Sequence, residues 1–242
     1  MLVRSRRTTI LVDAGVPHED LHRRLESIGA LPSEIEAVVV THGHADHVAA
    51  APLLSKRHGL EVWAARTTFR NPEKRPERLR VFEPSRPFQV GEIRVHPFPV
   101  PHDARPTVGF VLEADGVRLG YATDLGHVPE DAIAALSGAD GIVLEANHDP
   151  EMLREGPYPA LLKKRIAGLE GHLSNEQAAV ALARLAHPRL RCVVLAHRSE
   201  KNNTASLATE RVRDALEGTP AREARLAVAL QESPLGPFEL EG

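Results

Sequence analysis

The sequence has a single cysteine in 242 residues, no long hydrophobic run and almost no net charge. With only Cys192, set in the apolar run "RCVVLAH", there can be no disulfide framework. That usage suits a reducing compartment, and a cytoplasmic location is expected. No window approaches the roughly 18 apolar residues of a membrane span, and the start, "MLVRSRRTTILVDAG", does not read as a secretory leader. No membrane association and no obligate protein partner are expected. A formal net charge of -3 means that any polyanion must be held by a local cluster of lysines and arginines, because the field of the whole molecule does not attract it.

What the sequence does have is a series of short β-rich runs: "TTILVD", "AVVVTH", "EVWAA", "EIRVHPF", "TVGFVLEA", "VRLGYATD", "GIVLEAN", "RCVVLAH" and "RLAVALQ". Helical patterns fall between them. Leu21, Leu25 and Ile28 make an i, i+4, i+7 stripe, Ser174 and Gln177 make a capping box, and a further helix is predicted from Thr204 to Gly218. Strands followed by helices predict an α/β protein with sheets covered by helices, forming a single domain over residues 1–242. The stretch from Arg66 to Pro87, rich in proline and charge, reads as an exposed excursion too short to be a domain.

The most informative segment is "THGHADHVAAAPLL", residues 41–54. His42 and His44, two apart in an extended segment, project to one side and can share a cation. Asp46 and His47 follow where a helix begins, so one loop supplies ligands for two neighbouring positions. A solvated histidine-rich loop would account for one or two histidines, not for four potential ligands directly after a buried strand. Further candidates end later apolar runs: His102 in "FPVPHDA", Asp124 in "GYATDLG" and His197 in "VVLAHRS".

These elements resemble the metallo-β-lactamase superfamily, whose HxHxDH motif stands here as His42-Gly43-His44-Ala45-Asp46-His47, followed in the family's order by His102, Asp124 and His197. The resemblance implies an αββα sandwich of two mixed sheets flanked by helices. It also implies that His42, His44 and His102 hold one metal, that Asp46, His47 and His197 hold another, and that Asp124 bridges them. Asp13 in "LVDAG" matches an aspartate that orients the ligand loop; a plain capping aspartate is the alternative. Imidazoles with carboxylates suit Zn²⁺, and the same shell takes Mn²⁺ or Fe²⁺. Two such ions would acidify a bridging water and stabilise charge on the attacking and departing oxygens, with Asp46 aiming the nucleophile.

The segments "LEANHDP", "GHLSN" and "HRSEKNN" resemble more closely the YycJ/WalJ group of that superfamily, which is associated with 5'-to-3' DNA exonuclease activity. The position of His172 also resembles that of a histidine in the related tRNA-processing endonucleases, and Glu145 matches the acidic residue beside it there, which implies that His172 protonates the leaving oxygen and that Glu145 orients it. A structural alternative has His172 bonding the start of the Ser174 helix. Asn147, His148, Asn202 and Asn203 either contact substrate phosphate or brace the site. Lys163, Lys164, Arg165, Arg198 and Lys201 flank the ligand-bearing loops and are candidate phosphate contacts, though such clusters are often plain solvated faces. The group's opening "SGSxGN" segment is missing from this sequence; a gene start assigned too late is the expected reason, and a real truncation would instead affect the first strand.

The expected activity is therefore a dinuclear phosphodiesterase acting on DNA ends. Its rivals are a hydrolase of a small cyclic phosphodiester, lactone or thioester, and a metal-stabilised interaction module in signalling. Native metal, nucleic-acid type, polarity and oligomeric state are left open. The remaining histidines, at 18, 22, 58, 96, 127 and 187, are given no role.

Overall fold

The computed structural model describes residues 1–241. Its internal contacts divide the chain into two compact units, residues 1–99 with 104–115, and residues 100–103 with 116–242.

The first unit contains β1 (Leu2–Arg4), β2 (Thr9–Val12), α1 (His18–Ser27), β3 (Ala37–Val39), α2 (Ala45–Val48), α3 (Ala51–His58), β4 (Glu61–Ala65), β5 (Leu79–Phe82), β6 (Phe88–Val90), β7 (Ile93–Pro99) and β8 (Val108–Ala114). Strands β1 to β5 form a mixed sheet in sequence order, with β1 antiparallel to β2 and the remaining pairs parallel. The apolar strands β2 and β3 are wholly buried, as their sequence pattern requires of strands covered on both faces. Helix α1 packs Leu21 and Leu25, and α3 packs Leu54, into a core with Leu11, Val38 and Val62. Strands β6, β7 and β8 pair antiparallel, with Phe88 opposite Val95 and Val95 opposite Leu112.

The second unit contains β9 (Val117–Ala122), α4 (Glu130–Leu136), β10 (Gly141–Glu145), α5 (Pro150–Glu155), α6 (Ala160–Ile166), α7 (Asn175–Leu185), β11 (Cys192–Ala196), α8 (Ala205–Glu217) and β12 (Arg225–Val228). Strands β9 to β12 run parallel in sequence order, with Val143 of β10 registered between Tyr121 and Val194. Helices α7 and α8 pack together, burying Leu182 and Leu185 of one and Val212 and Leu216 of the other. Cys192 is buried in β11, and burial pushes its thiol pKa up.

All nine predicted strand runs contain strands, the Ser174–Gln177 capping box forms, and Thr204 caps α8. Two expectations need correction. Ile28 is not part of the buried stripe: α1 ends at Ser27, Gly29 has φ +69°, and Ile28 is 44% exposed. The excursion from Arg66 contains strand β5, which pairs in parallel with β4. Its Phe82 stacks 5.0 Å from Phe88, itself stacked 4.6 Å from Trp63, so aromatic packing holds a strand that the surrounding charge disguises.

No helix among the described residues is long and apolar enough to cross a membrane.

Candidate functional site

In the first unit, β2 and β3 both lead into candidate residues. Asp13 follows β2 with φ +57°, a left-handed conformation uncommon for non-glycine residues but one that aspartate tolerates better than most. Its Oδ1 accepts from the Thr41 amide at 2.8 Å, and its Oδ2 accepts from the Thr41 hydroxyl at 2.9 Å. The same Oδ2 lies 2.8 Å from His47 Nδ1. Because the Thr41 hydroxyl gives its proton to Asp13, it accepts from His42 Nδ1, 3.0 Å away. One carboxylate thus orients His47 directly and His42 through Thr41, and in both rings Nε2 becomes the nitrogen with the lone pair.

His44 sits at the N-cap of α2, its ring 4.7 Å from that of His42, and the rings of His42 and His47 are 4.1 Å apart. His42 and His47 are buried, whereas Asp46, in the first turn of α2, is exposed. The loop is locked from behind. A Cβ on Gly15 would overlap the carbonyl oxygen of Asp46, so only glycine lets β2's end approach that peptide.

In the second unit the ends of β9, β10 and β11 carry Asp124, Glu145 and His197. Asp124 and His197 also have positive φ, +60° and +53°. His102 Nδ1 donates to the Gly171 carbonyl at 3.1 Å, and its Nε2 is 3.7 Å from Asp124 Oδ1. Burial pushes the His102 pKa down, against the opposing pull of Asp124, which favours the neutral, ligating form.

Glu145 is fully buried, and all its bonds are acceptors: Oε1 from His172 Nδ1 at 2.8 Å and His197 Nδ1 at 2.7 Å, Oε2 from the Leu125 and Leu173 amides at 3.1 Å each. Burial disfavours its charge, yet the two imidazoles hold its pKa below the ordinary value. For His172 burial again opposes the charged form, but the Glu145 hydrogen bond and charge outweigh it and raise the pKa. Asp124, Glu145, His172 and His197 each offer a donor atom within 4.8 Å of the others.

The donor chemistry of both units fits divalent cations. His42, His47, His102 and His197 each have Nδ1 fixed by a hydroxyl, carboxylate or carbonyl, the arrangement that sets the tautomer and aims Nε2 in metal-ligating histidines.

A cleft of about 440 Å³ in the second unit is lined by His172 and His197 together with Asn147, Tyr158, Arg165, Arg198 and Lys201. Arg165 bonds Asp103, also in the lining, at 2.7 Å, and Lys201 lies 5.8 Å over the Tyr158 ring. Arg198 donates to the carbonyls of Ser199 and Asn203. Lys163 and Lys164 of α6 are not among the lining residues, and Lys163 bonds the Arg154 carbonyl.

Three residues offered as substrate contacts are instead internal braces. His148 is 3% exposed, with its Nδ1 buried. Asn203 is buried, and its amide is committed to Asn175, the Ala146 carbonyl and the Thr204 amide. Asn202 is likewise inaccessible, with its amide on Ser199. Within "NHD", Asn147 donates to the His197 carbonyl at 2.8 Å and Asp149 caps α5, so the motif frames a ligand-bearing turn. Sequence reasoning missed Thr41, the Gly171 carbonyl and the Glu145 bond to His197. Only Thr41 had a signal, its place directly before the histidine motif.

The family model of the beta-lactamase superfamily domain matches residues 8–197. The chain belongs to this superfamily. It is a metal-dependent hydrolase, of the α/β fold class with two mixed sheets and flanking helices. It is 32% identical over 206 residues to the exodeoxyribonuclease WalJ of Streptococcus pneumoniae serotype 2, covering 82% of this chain and 77% of that protein. It is 32% identical over 213 residues to the exodeoxyribonuclease YycJ of Bacillus anthracis, covering 86% and 81%. In fold it matches the metallo-β-lactamase fold protein YhfI of Bacillus subtilis, with a TM-score of 0.69 at 16% identity over 94% of this chain and 87% of that one.

Proposed function

We propose that the chain is a dinuclear phosphodiesterase that removes nucleotides from DNA ends in the 5'-to-3' direction, both units working as one hydrolase domain. The observation that carries this reading is the cleft in which Arg165, Arg198 and Lys201 stand beside His172 and His197. A phosphate chain suits such cations, and the Tyr158 ring offers a face on which a base can stack. The names of the two relatives point the same way.

In this reading His42, His44 and His102 hold one cation, Asp46, His47 and His197 hold the second, and Asp124 serves both. When bound, two divalent cations acidify water and offset the charge that builds on the phosphate oxygens. The protein's own work is positional. Asp13 and Thr41 fix the tautomers of His47 and His42, and Glu145 fixes that of His197. Glu145 also accepts a hydrogen bond from His172 Nδ1 and stabilises the protonated ring, whose Nε2 proton is delivered to the departing oxygen. Asp46 orients the attacking water.

The experiment is digestion of end-labelled single- and double-stranded DNA, with 5'-phosphate or 5'-hydroxyl ends, by protein loaded with Zn²⁺ or Mn²⁺. Asp124→Ala is the contamination control. Stepwise loss of nucleotides from the 5' end, absent in the variant, is expected. Failure to cleave DNA with two metals bound would move the assignment to a small cyclic phosphodiester, lactone or thioester.

A further inference from the structure

Away from the residues already discussed, the first unit holds three more histidines around one cavity. His18 and His22 lie one turn apart on α1, and His58 ends α3. With Glu19, Arg23, Glu26 and Arg57 they line a space of about 440 Å³. The Nε2 atoms of His18 and His58 are 3.4 Å apart, and their rings stack at 5.6 Å between centroids. The His22 ring stands 6.3 Å from each.

We propose that His18, His22 and His58 form a peripheral site for a divalent cation of borderline softness, Zn²⁺ above all, with a fourth position open to water. Two nitrogens at about 2.0 to 2.1 Å from one tetrahedral zinc lie about 3.3 to 3.4 Å apart, which is the separation between His18 and His58. As an N–H to N hydrogen bond the same distance is long, since such bonds centre near about 2.9 to 3.0 Å. An i, i+4 histidine pair on a helix presents both rings to one ion. His22 Nδ1 is 3.4 Å from Glu26 Oε1, the carboxylate contact that directs Nε2 toward a metal. Its side chain is 38% exposed, so it can turn to complete the set. Glu19 and Glu26 balance the charges of Arg23 and Arg57 around the cavity.

Burial, Arg57 and the two neighbouring histidines together push the His18 pKa down, so the ring is neutral and able to ligate at neutral pH. The His18 Nδ1 is buried without a hydrogen-bonding partner among the described residues. An ion here would clip α1 to α3, the helix that follows the Asp46–His47 turn.

The test is equilibrium dialysis of the full chain against Zn²⁺ at pH 7.5, followed by elemental analysis and DNA-end hydrolysis assays. The parent should retain one more zinc per chain than His18→Gln/His58→Gln, with hydrolysis unchanged in the variant. His22→Gln, at the ligand that must turn to complete the set, should stay folded and weaken the extra site about tenfold or more. Equal zinc in parent and double variant would overturn the proposal. So would loss of one zinc together with loss of hydrolysis, which would place that ion with the catalytic residues.

Discussion

Asp13 Oδ2 meets His47 Nδ1 at 2.8 Å, and the hydroxyl that bonds the same carboxylate also meets His42 Nδ1. Two imidazoles therefore depend on one residue for their tautomer. Asp13→Asn keeps the shape but turns an acceptor into a mixed group, so one of these bonds is lost. Metal affinity should fall about 10- to 100-fold, as for other groups that orient metal ligands. Competition with a chromophoric chelator measures it, and unchanged affinity would remove Asp13 from this role.

Gly15 should tolerate no side chain. A Cβ there overlaps the Asp46 carbonyl, a backbone atom that cannot swing away. Gly15→Ala should destabilise the protein by about 1 to 3 kcal/mol or more, with metal content falling in parallel because the ligand turn itself is displaced. Urea unfolding and elemental analysis of the same preparation would show both, and a stable variant with full metal would refute the packing argument.

His148 should make stability depend on acid. Burial pushes its pKa down to about 4, against the pull of Glu145 and Asp149, from an unfolded value of about 6.5. Between those values the unfolded chain binds a proton that the folded chain does not, so stability falls as pH drops from about 6.5 to about 4. The full contribution is of order 3 kcal/mol. His148→Gln removes this titration. Urea midpoints of parent and variant should diverge across that window, and parallel curves would sink the assignment.

The residues legible in the sequence were those whose signal is local. His42 to His47 follow an apolar strand at fixed spacing, and Ser174 with Gln177 announces a helix start. Beyond that, long-range geometry decided. Nothing near Glu145 in sequence indicates that it receives hydrogen bonds from both His172 and His197, because one forms only when the loop before α7 meets the end of β10 and the other only when β10 and β11 pair. Asn203 and His148 read as polar and reachable, yet strand ends and helix starts pack around them. Strand β5 was hidden because its edge carries Arg80, paired to Glu61, while only Phe82 is fully buried and Leu79 packs partly against the core.

The two partners Glu145 and His172 should separate by experiment. His172 bonds Glu145 and lines the cleft, so His172→Ala should lower turnover of end-labelled DNA by about 10²- to 10⁴-fold while metal content stays near normal. Glu145 holds His197 as well as His172 and accepts two buried amides. Glu145→Gln sets a buried N–H against groups that are themselves donors, and each unmet group costs about 1 to 3 kcal/mol. That variant should lose turnover, stability and part of its metal together. Elemental analysis beside single-turnover rates distinguishes the cases: equal metal loss in both variants would mean that His172 holds the metal or its ligands, and that the proton comes from elsewhere.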